Sequence, residues 1–137
     1  MWRMKECIAV PEGLFHRAID GKLLYSHVVV ASGRRTVYIS GQLARNEKGD
    51  IIGKGDMRAQ LRQVLENLGR ALAAVGATYD NVVETTTYTT DIDEYFRCVD
   101  VRHDYFKKDL PTSTAIGVSR LSHPDFMVEI KATAVLD

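Results

Sequence analysis

Two adjacent stretches decide the fold. The first is Asp56-Met57-Arg58-Ala59-Gln60-Leu61-Arg62-Gln63-Val64-Leu65-Glu66-Asn67-Leu68-Gly69-Arg70-Ala71-Leu72-Ala73-Ala74-Val75-Gly76, and the second is Val82-Val83-Glu84-Thr85-Thr86-Thr87-Tyr88-Thr89-Thr90. In the first, Met57, Leu61, Val64, Leu65, Leu68, Leu72 and Val75 recur at steps of three and four, which is one stripe of a helix. Asp56 is placed to cap its start and Gly76 to end it. That stripe has to bury against something, and the second stretch supplies it: a β-branched strand whose threonines suit a pleated surface with one polar face.

Outward from this pair, Asp91-Ile92-Asp93 opens a second helix with an apolar stripe of Phe96, Val99, His103 and Phe106, broken by Pro111. Thr114 to Val118 and Met127 to Leu136 read as the last two strands, the latter alternating in polarity. On the other side, Glu6 to Val10 reads as a short first strand. Tyr25 to Ala31 and Thr36 to Ser40 flank the turn Ser32-Gly33-Arg34-Arg35, which predicts a hairpin between them. Arg45 to Gly55 is polar and reads as loop. The order β-β-β-α-β-α-β-β predicts an α+β fold with two helices on one face of a mixed sheet. The other face would carry apolar residues in need of a partner. Residues 1–137 read as a single domain, without internal repeat or linker.

Composition narrows the function. Eighteen basic and eighteen acidic residues give a formal net charge of zero, so no global field draws the chain to nucleic acid or an anionic membrane. Cys7 and Cys98 are isolated and imply neither a disulfide framework nor a thiolate metal site. The charged start Met-Trp-Arg-Met-Lys-Glu does not resemble a signal peptide, and no apolar run is long enough to span a bilayer. A cytoplasmic protein without membrane association is the expectation. His16, His27, His103 and His123 show no ligand spacing, and the Gly-Lys-Ser/Thr core of a phosphate loop is missing.

Several segments together resemble the YjgF/RidA family, from about Tyr25 to Leu136. They are Tyr25-Ser26-His27, Val37-Tyr38-Ile39-Ser40-Gly41-Gln42, Leu65-Glu66-Asn67-Leu68, Val82 to Tyr88, Val118-Ser119-Arg120-Leu121 and Val128 to Val135. The resemblance implies a chorismate-mutase-like sheet of the bacillus type. It also implies a homotrimer with three clefts between subunits that bind small carboxylates, and deaminase chemistry on enamine or imine acids without metal or organic cofactor. Residue by residue, it assigns substrate contacts to Tyr25, Gly41, Asp100, Ser113, Thr114 and Ala115, and catalysis to Glu129 as the group that holds water. Such a site needs a cation for the carboxylate and a carboxyl group to move a proton.

This chain departs from that pattern at the cation. In Pro111-Thr112-Ser113-Thr114, Ser113 stands where the family places arginine; Ala115 stands where it often has cysteine, and Asp100 where asparagine is frequent. Loss of the guanidinium removes charge-assisted contacts of about 1.5–3 kcal/mol each, and Asp100 would repel a carboxylate. The expected ligand is therefore neutral or cationic, and the expected activity is hydrolase- or deaminase-like on something other than the usual 2-imino acids. A non-catalytic metabolite-binding or regulatory trimer is the alternative, and a ribonuclease or translation inhibitor is the least favoured. Whether another arginine, such as Arg102, replaces the missing one is open at this level. Glu129 could equally be a structural partner of a base, His103 a packing residue, and Ser113 a plain hydroxyl without histidine or acid to activate it.

Overall fold

The computed structural model describes residues 4–137. Its elements are β1 (Lys5–Ile8), β2 (Ala18–Ile19), β3 (Lys22–Leu23), β4 (Val28–Ala31), β5 (Arg35–Gln42), α1 (Met57–Ala73), β6 (Val82–Thr89), α2 (Ile92–Cys98), β7 (Thr112–Gly117) and β8 (Val128–Leu136). A 3₁₀ segment, Val99–Asp104, continues α2. The main sheet has the order β5-β8-β6-β7, with β6 and β7 parallel and the other pairs antiparallel. Helix α1 lies across β8 and β5, and α2 with its 3₁₀ extension packs beside it, so both helices cover the same face.

Helix α1 follows the sequence logic closely. The Asp56 side chain accepts a hydrogen bond from the Ala59 amide. At the other end the Ala77 amide donates to Leu72 O and the Gly76 amide to Ala73 O, with Gly76 at φ 76°. These two bonds form the 6→1 and 5→2 pair of a Schellman end. Leu61, Val64, Leu65, Leu68 and Leu72 are fully buried, each worth about 1.5–3 kcal/mol in transfer from water. Val75 has rotated out to the surface. Gln60 is buried in the same stripe and fully engaged: its Nε2 donates to Gly53 O and Asp125 O, and its Oε1 accepts from the Met127 amide. It thus ties the loop before α1 to the entry of β8.

Three expectations need correction. The hairpin predicted between Tyr25–Ala31 and Thr36–Ser40 does not form. Strand β4 starts only at Val28 and pairs with β1, whereas β5 pairs with β8. The turn residues serve a crossing between the two sheets, and at Gly33 a side chain would overlap the Leu136 carbonyl and the Val135 side chain. A different hairpin, β2–β3, turns on Asp20 and Gly21, both at positive φ, an Asp-Gly signal that the reading above passes over.

The stripe of the second helix is also shifted. Tyr95, Cys98, Val99, Val101, Arg102 and Phe106 are buried, while Phe96 and His103 are half-buried, because the chain tightens to three residues per turn after Cys98. His103 Nε2 is hydrogen-bonded to Ile19 O, and the Arg17 guanidinium lies over the Phe96 ring. Lastly, the threonine run divides by parity: Thr85, Thr87 and Thr89 are buried under the helices, and Thr86 lies on the other face.

The open face of the sheet is more mixed than expected. Register places Tyr38, Tyr88, Ile116 and Val135 there, interleaved with Glu84, Thr86, Glu129, Lys131 and Thr133. Tyr38 is 82% exposed. Further exposed apolar residues, namely Ile8, Val10, Leu14, Phe15, Val28 and Val30, lie on the β1–β4 ribbon and the segment after it. The ribbon is fastened to the main body by Lys5. Its ammonium donates to the carbonyls of Asp80, Val82 and Asp109, and burial pushes its pKa down.

The stripe makes a direct prediction. Leu65→Ala should lower unfolding free energy by about 2–5 kcal/mol in urea titration, whereas Asp56→Ala should cost about 1 kcal/mol. Equal small losses would mean that α1 does not carry the core.

Candidate functional site

Strand β8 alternates strictly. Val128, Ile130, Ala132, Ala134 and Leu136 are buried beneath the helices, and Glu129, Lys131, Thr133 and Val135 point to the open face. Near Glu129, opposite Lys131, the β5–β8 ladder slips: Ile39 pairs with Ala132 but Gln42 pairs with Ile130, so β5 carries an extra residue at Ser40–Gly41. A bulge of this kind re-aims the backbone locally. It brings Gly41 against Glu129 so closely that a Cβ at position 41 would overlap the carboxylate. Glu129 is half-buried and, among the described residues, no basic side chain forms an ion pair with it. An open groove of about 820 Å³ begins at Gly41 and runs along α1 past Arg45, Asn67 and Arg70.

A second group gathers at edge strand β7. Thr85 pairs with Ser113 and Thr87 with Ala115, so Ser113 and Ala115 share the helical face with the buried threonines. Thr114 points the other way and is exposed. Tyr25 arrives from the segment before β4, held because the Ser26 amide donates to Pro111 O at 3.0 Å. Its ring stacks on His16 at 4.5 Å and meets the edge of His27 at 5.3 Å. Both histidines are oriented by backbone carbonyls, which can only accept: His16 Nδ1–H donates to Ala9 O and His27 Nε2–H to Phe15 O.

The two groups do not meet within one chain. Strand β6 lies between β8 and β7, and Glu129 with Gly41 opens on the face opposite to Ser113 and Ala115. Asp100 stands apart from both on the helical layer. Its carboxylate makes a two-pronged ion pair with Arg58 of α1, each bond 3.0 Å. The charge expected to repel a carboxylate is therefore already neutralised, and the Arg58 hydrogen bonds hold the Asp100 carboxyl below the usual range.

Hydrophobic periodicity gave no hint of Arg102. It is 1% exposed, and its Nη2 donates to Thr85 Oγ1 at 3.2 Å. A charged residue in an apolar stripe is invisible to a pattern that counts only apolar positions. Among the described residues no three His, Cys, Asp or Glu side chains converge as a metal cluster, and no helix is long and apolar enough to cross a membrane.

The Asp100–Arg58 pair makes a pH prediction. Its folded pKa lies below the unfolded value of about 3.9. Its contribution is thus complete above that pH and is lost as the pH falls through the folded value. Solvent exposure keeps that contribution small. In a carboxyl-detected NMR titration Asp100 should titrate below ordinary exposed carboxylates, and Arg58→Ala should return it to them. An unchanged midpoint would show that the pair is not formed.

The chain matches the model of the family described as Endoribonuclease L-PSP over residues 15–136. A RutC family protein of Pyrococcus horikoshii is 36% identical over 110 residues, covering 80% of this chain and 85% of that protein. The human 2-iminobutanoate/2-iminopropanoate deaminase is 32% identical over 111 residues, covering 81% and 79% of the two chains. Among solved structures, a Yersinia pestis protein of the conserved Rid family, YyfB, described as of unknown function, superimposes with a TM-score of 0.85. It is 33% identical, with 98% of this chain and 100% of that one covered. The sheet order, the two helices on one face and these matches agree: the chain belongs to the Endoribonuclease L-PSP family, the group of YjgF, RidA and RutC proteins.

Proposed function

We propose that this protein is a cofactor-free hydrolase of the deaminase type, built as a homotrimer, that acts on a substrate other than the usual 2-imino and enamino acids. The observation that carries the proposal is Glu129 set against the bare backbone of Gly41 at the bulge. A carboxylate with no basic partner among the described residues, set against a backbone without a side chain, has the capacity to take a proton from a water molecule. For a C=N substrate, water adds to the carbon while Glu129 takes one of its protons and passes it to the nitrogen, giving a carbinolamine; Glu129 then moves the hydroxyl proton to the nitrogen, the C–N bond breaks and the amine leaves as the C=O bond forms.

The split of the site supports the trimer. Tyr25, Ser113, Thr114 and Ala115 belong to the β7 edge, while Glu129 on β8 and Gly41 on β5 lie two and three strands away. A second copy that places its β7 edge beside the first copy's bulge completes the constellation. The exposed Tyr38 on that open face is suited to be covered by the same contact. Human and other deaminases among the relatives favour turnover, and the hydroxyl at position 113 argues for a different substrate. The rival reading, a trimer that binds a metabolite without turnover, is favoured by that same hydroxyl and by Ala115.

A panel of imines and small amides should show turnover by the wild type that Glu129→Ala lowers at least a hundredfold, within the usual range for loss of a general acid or base of about 10²–10⁴. Equal rates would remove Glu129 from the chemistry. Sedimentation at micromolar concentration should give three chain masses, and a stable lone protomer would sink the shared site. Ser113→Arg should confer activity on 2-iminopropanoate, the more so because Asp100 is already occupied by Arg58.

A further inference from the structure

Arg102 is buried, and among the described residues no carboxylate forms an ion pair with it. The acids that flank it on the same segment are turned outward and taken by α1: Asp100 by Arg58 and Asp104 by Arg62. Among the described residues the one hydrogen bond of its side chain is from Nη2 to Thr85 Oγ1, and the Phe106 ring lies 4.9 Å from the guanidinium carbon. Nε and Nη1, which carry most of the N–H groups, have no protein partner, nor does the buried Thr87 Oγ1 two residues along β6. Buried polar groups are ordinarily satisfied, and a buried charge ordinarily has a partner. Three buried polar atoms are thus left without a protein partner, two on the guanidinium and one on β6.

The position of these atoms is informative. Thr85 Oγ1, which accepts from Arg102, also donates to Thr112 O of β7, and Thr85 pairs directly with Ser113. On that face the edge strand presents Ser113 and Ala115, small side chains one strand outward from Thr85 and Thr87.

We propose that Arg102, with Thr85 and Thr87, holds the anionic end of the ligand, a small monocarboxylate, on the helical side of β6 and one strand inward from residue 113. The proposal rests on the reading above that a small-molecule pocket opens at β7. It reverses the expectation of a neutral or cationic ligand. It also explains why the substrate differs from the usual 2-imino acids: the carboxylate lies a strand spacing of about 4.8 Å from the β7 position, so the reacting carbon is farther from it.

The test uses the full chain with propanoate as probe and propanamide as its neutral isostere. Propanoate should shift the Arg102 Nε–Hε resonance saturably in ¹H–¹⁵N spectra and raise Tm, and propanamide should bind at least tenfold more weakly. Arg102→Gln should abolish the response, and Arg58→Gln, which frees only the surface pair, should keep it. If Arg102→Gln does not fold, Arg102→Lys assigns the resonance by removing it while keeping the charge. Equal binding of the two probes, or an Arg102 resonance that propanoate leaves unmoved, overturns the proposal and leaves internal water as its partner. Glu129→Ala separates this inference from the enzymatic one, because it should lose turnover while retaining the propanoate response.

Discussion

The period-two alternation of β6 and β8, with helices on one side only, is the constraint from which the rest of the molecule follows. The stripe of α1 fixes which parity is buried, and every side chain on the central strands is then assigned to the helical or the open face. A slip of one residue would put Glu129 in the core and Ile130 in solvent. The same parity that makes the core also divides the candidate site, sending Glu129 to one face and Ser113 with Ala115 to the other. Division of the site and burial of the core are one fact seen twice.

The elements whose identity depends on local periodicity were legible in the sequence. Helix α1, its Asp56 cap, its end at Gly76, and strands β6, β7 and β8 lie within a few residues of where the pattern puts them. What failed was pairing. Nothing local distinguishes a turn that closes a hairpin from one that carries the chain between sheets, and Ser32-Gly33-Arg34 does the latter because β5 finds a longer partner in β8. The shift in the second helix has a different origin. Its winding tightens after Cys98, and a stripe counted at 3.6 residues per turn then drifts off the true face.

For the site, the resemblance supplied positions and the structure supplied their relations. Glu129 and Gly41, far apart in sequence, are in contact only because a bulge re-aims β5. The expected conflict between Asp100 and an anionic ligand was an inference from charge type alone. It dissolves once Arg58 is seen to hold that carboxylate. Arg102 shows the converse: composition counts it among eighteen basic residues, and only the fold reveals that it has been taken out of water without a carboxylate beside it.

The close approach at the bulge bears on how such a protein drifts over evolutionary time. A single added methyl at position 41 would evict the Glu129 carboxylate, yet it lies away from the α1 stripe and leaves the hydrogen-bonded ladders on either side intact. If Glu129 carries the chemistry as proposed, divergence from turnover to mere ligand capture is one codon away and carries little penalty in foldedness. Such a lineage would shed its chemistry and keep its shape.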